Sequence, residues 1–215
     1  MRSLNRAMFA KAFGSSRGSL AAVVLVMLGV SGCGGGPPPK MHLLQTSASM
    51  NTVVFSPEQT RNISSLGMSS VVLPSYASDP QLASVGADGL VYQSDKHRWA
   101  EEPESAISRV LADRLRQHAG ATVLIEPWPR DYSPVARVEV VFDKLLREPR
   151  GGVDMAGQIL LLSGDGRRLL EALPFQVTHY GLRVEERVFF VAVAKGIDDI
   201  ARIAVEALIE KGDEK

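Results

Sequence analysis

The sequence predicts an α+β fold, a two-layer domain whose mostly antiparallel β-sheet packs against two long amphipathic helices. Residues 135–142 alternate, with Ala136, Val138, Val140 and Phe142 on one side and Arg137 and Glu139 on the other, the pattern of a half-buried strand. Two more strand-like runs, 153–162 and 168–177, follow at turn signals. Two other segments, 103–119 and 185–211, repeat their apolar residues at helical spacing. Consecutive strands bury one face of a sheet, and the helices supply its cover.

The elements follow in chain order. Residues 1–32 read as a signal peptide: Arg2, Arg6, Lys11 and Arg17 precede an apolar run over 20–30, with no acid among them. That run is too short for a stable membrane span, which needs roughly 20 residues. Val30-Ser31-Gly32-Cys33 is a lipobox, in which a branched apolar residue and two small ones precede the thiol that takes a diacylglyceryl group. Cys33 is the only cysteine, so the processed chain has no disulfide and its core is held by packing. No cofactor is expected beyond the covalent diacylglyceryl and N-acyl lipid on Cys33. Two or three acyl chains hold a protein at a membrane essentially permanently, since each buried methylene contributes about 0.8 kcal/mol.

Residues 33–40 hold this cysteine and a Gly34-Gly35-Gly36-Pro37-Pro38-Pro39-Lys40 spacer, and 41–215 is expected to be one periplasmic domain. Processing leaves 183 residues with 20 basic and 24 acidic side chains, a balance that argues against nucleic acid as a partner. Strands are expected at 42–45, 52–55 and 69–73, the last stopped by Pro74. Residues 75–90 are broken by Asp79-Pro80, Gly86 and Asp88-Gly89, and read as an exposed loop or a hairpin returning through 90–93.

The first long helix starts after Glu102 with Pro103 in its first turn. It keeps Ile107, Val110, Leu111, Leu115 and Ala119 on one face and ends at Gly120. A strand over 121–126 leads into a Pro127-Trp128-Pro129 turn, and the three-strand meander follows, its last reversal made by Ser163-Gly164-Asp165-Gly166. The second long helix carries Val188, Val191, Ala194, Ile197, Ile200, Ala201, Ala204 and Leu208 at helical spacing, despite Gly196.

Chemistry-bearing patterns are sparse. His42, His97, His118 and His179 include no pair at the spacing of helical zinc ligands, so no metal site is expected. His118, in the last turn of a helix, suits the dipole. Glu101 and Glu102 precede a helix and read as dipole partners, not as a catalytic pair. Trp99 and Trp128 stand beside turns, where an indole covers an element's end. No nucleophile elbow or phosphate cradle is present, and the chain is not expected to be an enzyme.

Val71-Val72-Leu73-Pro74-Ser75-Tyr76, then Asp79-Pro80-Gln81-Leu82, then His97-Arg98-Trp99-Ala100-Glu101, with Ile107 and Arg109-Val110-Leu111, give the chain a specific resemblance. Over about residues 41–145 it resembles the ABC-type transport auxiliary lipoproteins of the PqiC/YmbA kind. The resemblance implies an outer-membrane lipoprotein facing the periplasm, a homo-oligomer working with an MCE-type periplasmic protein and inner-membrane transporter components to move lipid between membranes. Gly34 stands where Asp marks inner-membrane retention in many bacteria, so sorting to the outer membrane is expected. The candidate partner-contact loop is Tyr76, Asp79, Pro80, Gln81 and Leu82. Where such proteins often read Asp-Arg-Pro-Gln, this chain reads Ser78-Asp79-Pro80-Gln81, so Asp79 puts an acid beside the turn in place of a cation. The other reading the sequence allows is a lipoprotein that assists assembly of an outer-membrane barrel or a glycolipid machine.

Overall fold

A computed structural model describes residues 37–45, 54–149, 151–180 and 186–213. The signal segment, Cys33, Gly34 to Gly36 and the first half of the expected strand at 52–55 lie outside the described residues. In chain order the elements are β1 (Lys40–His42), β2 (Ser65–Met68), α1 (Ser75–Ser78), β3 (Gln81–Val85) and β4 (Val91–Trp99). They continue as α2 (Pro103–Ala119), β5 (Thr122–Ile125), β6 (Ala136–Arg147), β7 (Gly152–Ser163), β8 (Leu169–Tyr180) and α3 (Glu186–Asp213).

Strand β6 is the axis of one eight-stranded sheet. One edge pairs antiparallel with β7 from Ala136 opposite Ser163 to Arg147 opposite Val153, and β8 continues that meander. The other edge is shared. Strand β2 runs parallel to it at Leu66 to Met68, Val72 makes a single bridge to Val141, and β3 meets it at Ser84 opposite Arg147. Beyond β2 lies β5, parallel; beyond β3 lies β4, antiparallel, and then β1, parallel. The sheet is therefore mixed. Its long pairings are antiparallel, whereas β2 and β5 are parallel because α2 lies between them in the chain, and parallel neighbours need such a crossover.

Both long helices cover one face. Helix α3 lies on β7 and β8, and α2 packs against α3 and β5. The alternation in β6 buries Ala136, Val138, Val140 and Phe142, while the helices contribute Ile107, Leu111 and Leu115 from one side and Phe189, Val193, Ile197 and Ile200 from the other. Two glycines permit close approaches within the sheet and between sheet and helix. A Cβ on Gly157 would stand 2.1 Å from the Val141 carbonyl oxygen, at the bulge where β6 shifts register between Phe142 and Lys144. A Cβ on Gly196 would stand 2.5 Å from Met155 Cε, which explains a glycine inside a helix: it lets α3 settle onto β7.

Helix α2 begins with Pro103 at its start and ends at Gly120, whose φ of 62° is the left-handed conformation and whose N–H donates to the Arg116 carbonyl at 2.9 Å. The expected boundaries of this helix hold, and the three-strand meander forms as expected, with its first strand running on from 142 to Arg147 and its third from 177 to Tyr180. Several others move. The β-branched run at 69–73 is not the strand; the strand is Ser65–Met68, and Val72 keeps only its bridge to Val141. The β-bridging positions there are limited because Val71 turns inward and its N–H donates to buried Ser108 Oγ at 2.9 Å. Of the two readings of residues 75–90, the hairpin holds and the loop does not: after the one-turn α1, β3 pairs back on β4 through Val91 to Gln93. The expected strand at 42–45 lies earlier, at Lys40–His42, and Val54 and Phe55 belong to no strand.

Candidate functional site

The residues expected to form a contact loop are placed differently from one another. Tyr76 sits in the one-turn α1, which Pro74 precedes with extended backbone, and its hydroxyl accepts from the Leu145 N–H at 3.3 Å. Asp79 is exposed and accepts from Gln93 Nε2 at 3.0 Å. The Pro80 carbonyl accepts from the Trp99 N–H at 2.7 Å, and Gln81 lies opposite Arg98 in the β3–β4 pairing. Leu82 is 2 % exposed and belongs to the core. Its inward face follows from its place in strand β3, so it is not part of an exposed loop. Of the five, Asp79, Pro80 and Gln81 share one accessible rim, with Tyr76 behind it as a peg.

The His97 to Glu101 stretch is a structural knot. Trp99 is buried and meets Phe190 edge-on at 4.9 Å between ring centres, and Phe189 at 6.1 Å. His42 stacks on Phe190 at 5.1 Å, and its Nε2 stands 3.0 Å from His97 Nδ1. Arg109 pairs with Glu101 and donates to the Leu44 carbonyl at 3.1 Å. These contacts fasten the ends of β1 and β4 to the starts of α2 and α3. Trp128 has the same kind of task at the other end: its ring lies where a Gly67 Cβ would be, 2.7 Å away, with Arg137 over its face at 5.0 Å.

Among the described residues no three His, Cys, Asp or Glu side chains gather in a metal-binding group. Two deeply buried polar side chains of α2, Arg114 and His118, both face Asp198 on α3, at 3.6 Å and 3.1 Å. This is a tie between the two long helices. Tyr132 is held above the usual phenol range chiefly by burial, its hydroxyl donating to the Leu66 carbonyl at 2.8 Å. At the tip of the β3–β4 hairpin, Tyr92 donates to Asp88 at 2.5 Å, which lowers the Asp88 carboxyl and raises the Tyr92 phenol.

An exposed apolar feature lies along the first turns of α3. Val191, expected on the buried face, is 44 % exposed, while Phe189, Phe190, Ala192 and Val193 are buried. This end of the helix reads Val-Phe-Phe-Val-Ala-Val-Ala, apolar all round, so spacing alone cannot say which side faces out. Two adjoining grooves of about 490 Å³ and 280 Å³ flank Val191 and share Arg187 with it. Met41 and Leu43 of the β1 segment line one, and Tyr180 at the end of β8 lines the other.

Comparison with known proteins gives this arrangement a family. Residues 42–186, more than half of the chain, match the family described as the ABC-type transport auxiliary lipoprotein component.

The chain belongs to the ABC-type transport auxiliary lipoproteins.

The match spans β1 to the start of α3, so the Tyr76 to Leu82 segment and the Trp99 knot both lie within the family region. Solved structures repeat the fold of this auxiliary lipoprotein. One, a protein described as uncharacterised, superposes with a TM-score of 0.63 at 14 % identity over 80 % of this chain and 99 % of its own. A second, from Xanthomonas campestris and assigned to a family of unknown function, gives 0.58 at 9 % identity over 82 % of this chain and 95 % of its own. At these identities the likeness is one of fold. No functionally curated protein matches the chain in sequence.

Proposed function

We propose that this auxiliary lipoprotein is the outer-membrane docking subunit of an MCE-type or PqiAB-like lipid-transport system, anchored through Cys33 and facing the periplasm. The observation that carries the reading is the order of two independent signals. A lipobox, Val30-Ser31-Gly32-Cys33, stands immediately ahead of a spacer, and the transport-auxiliary family region begins at residue 42. Gly34 beside the lipidated residue supports outer-membrane sorting.

The physics of lipid transfer favours a scaffold over an enzyme. Exposing an acyl chain to water costs about 0.8 kcal/mol per methylene, so transfer calls for a sheltered path with a collar at its end. Several copies of one small domain make such a collar, and the rim of Asp79, Pro80 and Gln81 is the surface offered to the MCE-type partner. No bond to the lipid is made or broken in this role.

The test is purification of the lipidated full chain from cross-linked native membranes, with partners identified by mass spectrometry. Recovery of an MCE-type protein and a permease is expected, from fractions of outer-membrane density, with the N-terminal peptide carrying acyl chains on Cys33. Recovery of a barrel or glycolipid-assembly protein in their place would replace this reading with an assembly role.

A further inference from the structure

We propose that the apolar strip of Met41, Leu43, Val191 and Tyr180, bracketed by Arg187 and Lys195, is a membrane-contacting face that seats on the anionic lipid surface to which the chain is tethered. The inference rests on the reading of Cys33 as the anchor and adds an orientation to it.

The first argument is the make-up of the strip. Met41, Leu43, Tyr180 and Val191 are 59 %, 54 %, 72 % and 44 % exposed, and they gather around one stretch of α3. A group of large apolar side chains left in water marks a contact surface, unlike single ones scattered over a molecule. On α3 the exposed positions Arg187, Val191 and Lys195 follow at intervals of four, so one helical stripe reads cation, apolar, cation. Neither cation has an ion-pair partner among the described residues. Such stems lie along apolar surface while their heads reach outward to phosphate, the pattern of an interfacial helix.

The second argument is the tether. The fold begins at Lys40, seven residues after Cys33, and seven residues span at most about 25 Å when fully extended. Met41 and Leu43 are the first large apolar side chains after the spacer, so the strip holding them stays within that reach of the headgroups. A short tether keeps the local concentration of the face at the bilayer in the millimolar range, where even weak docking is populated. By contrast the β3–β4 hairpin tip around Ala87 lies at the far end of β4 from the β1 pairing at His97 to Trp99.

The test supplies the tether chemically. The chain from Cys33 onward is joined through its only thiol to a maleimide lipid in vesicles of phosphatidylethanolamine with one quarter phosphatidylglycerol. A benzophenone amino acid replaces either Val191 or Ala87, both exposed, and melting curves check that each variant is folded. After illumination, mass spectrometry reads the adducts. Lipid adducts at 191 should exceed those at 87 by about fivefold or more, and R187E/K195E should bring them down to the level at 87. Equal lipid labelling at the two positions, or labelling at 191 chiefly of a second protein copy, would overturn the proposal. The mass of the Cys33 peptide from native membranes tests the anchor separately: an unacylated Cys33 with strong lipid labelling at 191 removes the anchor reading and supports the face.

Discussion

Asp198 on α3 sits 3.1 Å from His118 Nε2 on α2, eighty residues earlier in the chain, with the Arg114 side chain 3.6 Å away on the same carboxylate. Arg114 and His118 are almost wholly buried, and Arg114 also donates to Gln117 at 2.8 Å. One carboxylate thus answers two buried polar groups where the helices cross. Removing it as Asp198→Ala leaves both without it, and breaking a buried pair in this way costs about 3–5 kcal/mol. Urea unfolding should show a loss near the low end of that range, since the Asp198 side chain keeps 16 % exposure; a loss below about 1 kcal/mol would mean that water already satisfies the site.

Helix α3 is seated by the absence of a side chain. Gly196→Ala places a methyl 2.5 Å from Met155 Cε, the movable end of a flexible side chain, whereas Gly157→Ala drives a methyl to 2.1 Å from a backbone oxygen. The second should be much the more damaging. A loss of about 1 kcal/mol is expected for Gly196→Ala, where the gain in helix propensity offsets part of the strain, and more than about 3 kcal/mol for Gly157→Ala. Thermal melts of the two variants give the comparison, and the reverse order would contradict the packing described.

Leu82 and Asp79 separate stability from docking. Leu82→Ala removes a buried side chain and should cost about 2–5 kcal/mol. Asp79→Ala removes an exposed carboxylate whose contact is with Gln93, so stability should change by less than about 0.5 kcal/mol. If the rim meets a transporter component, Asp79→Lys should reduce co-purification of that partner while melting as the natural chain does. Unchanged recovery would move the contact elsewhere on the molecule.

Lys144 and Asp154 form a pair across β6 and β7 at 3.0 Å, and the hydrogen bond to Asp154 raises the Lys144 ammonium above its ordinary 10.5. A raised lysine lends stability that is complete below the unfolded value and is lost as pH rises through the folded one. The natural chain should therefore lose a small increment above pH 10.5 that Lys144→Met lacks, read as converging melting temperatures on the alkaline side. The pair is partly exposed, chiefly at Lys144, so the difference at neutral pH should be modest and should shrink with salt.

The sequence by itself determined the elements whose signals are local. Pro103 and Gly120 bracket α2 because a proline fits a first turn and a left-handed cap needs a glycine. The alternation of β6 and the Ser163 to Gly166 reversal determined the meander, since a period of two has one buried face wherever the strand lies. The residues that carry the family likeness are equally local, being patterns of neighbours in the chain. Only the tertiary structure decided which short segments share β6. Leu66 to Met68, Val72 and Ser84 meet its second edge through pairings that no local spacing encodes. The same holds for the side of α3 that faces out. Its first turns are apolar in every direction, and Val191 is left in water because Trp99 and His42 already occupy the faces of Phe189 and Phe190. Periodicity ranks the faces of a helix only when they differ, and where they do not, the neighbours brought from far along the chain choose.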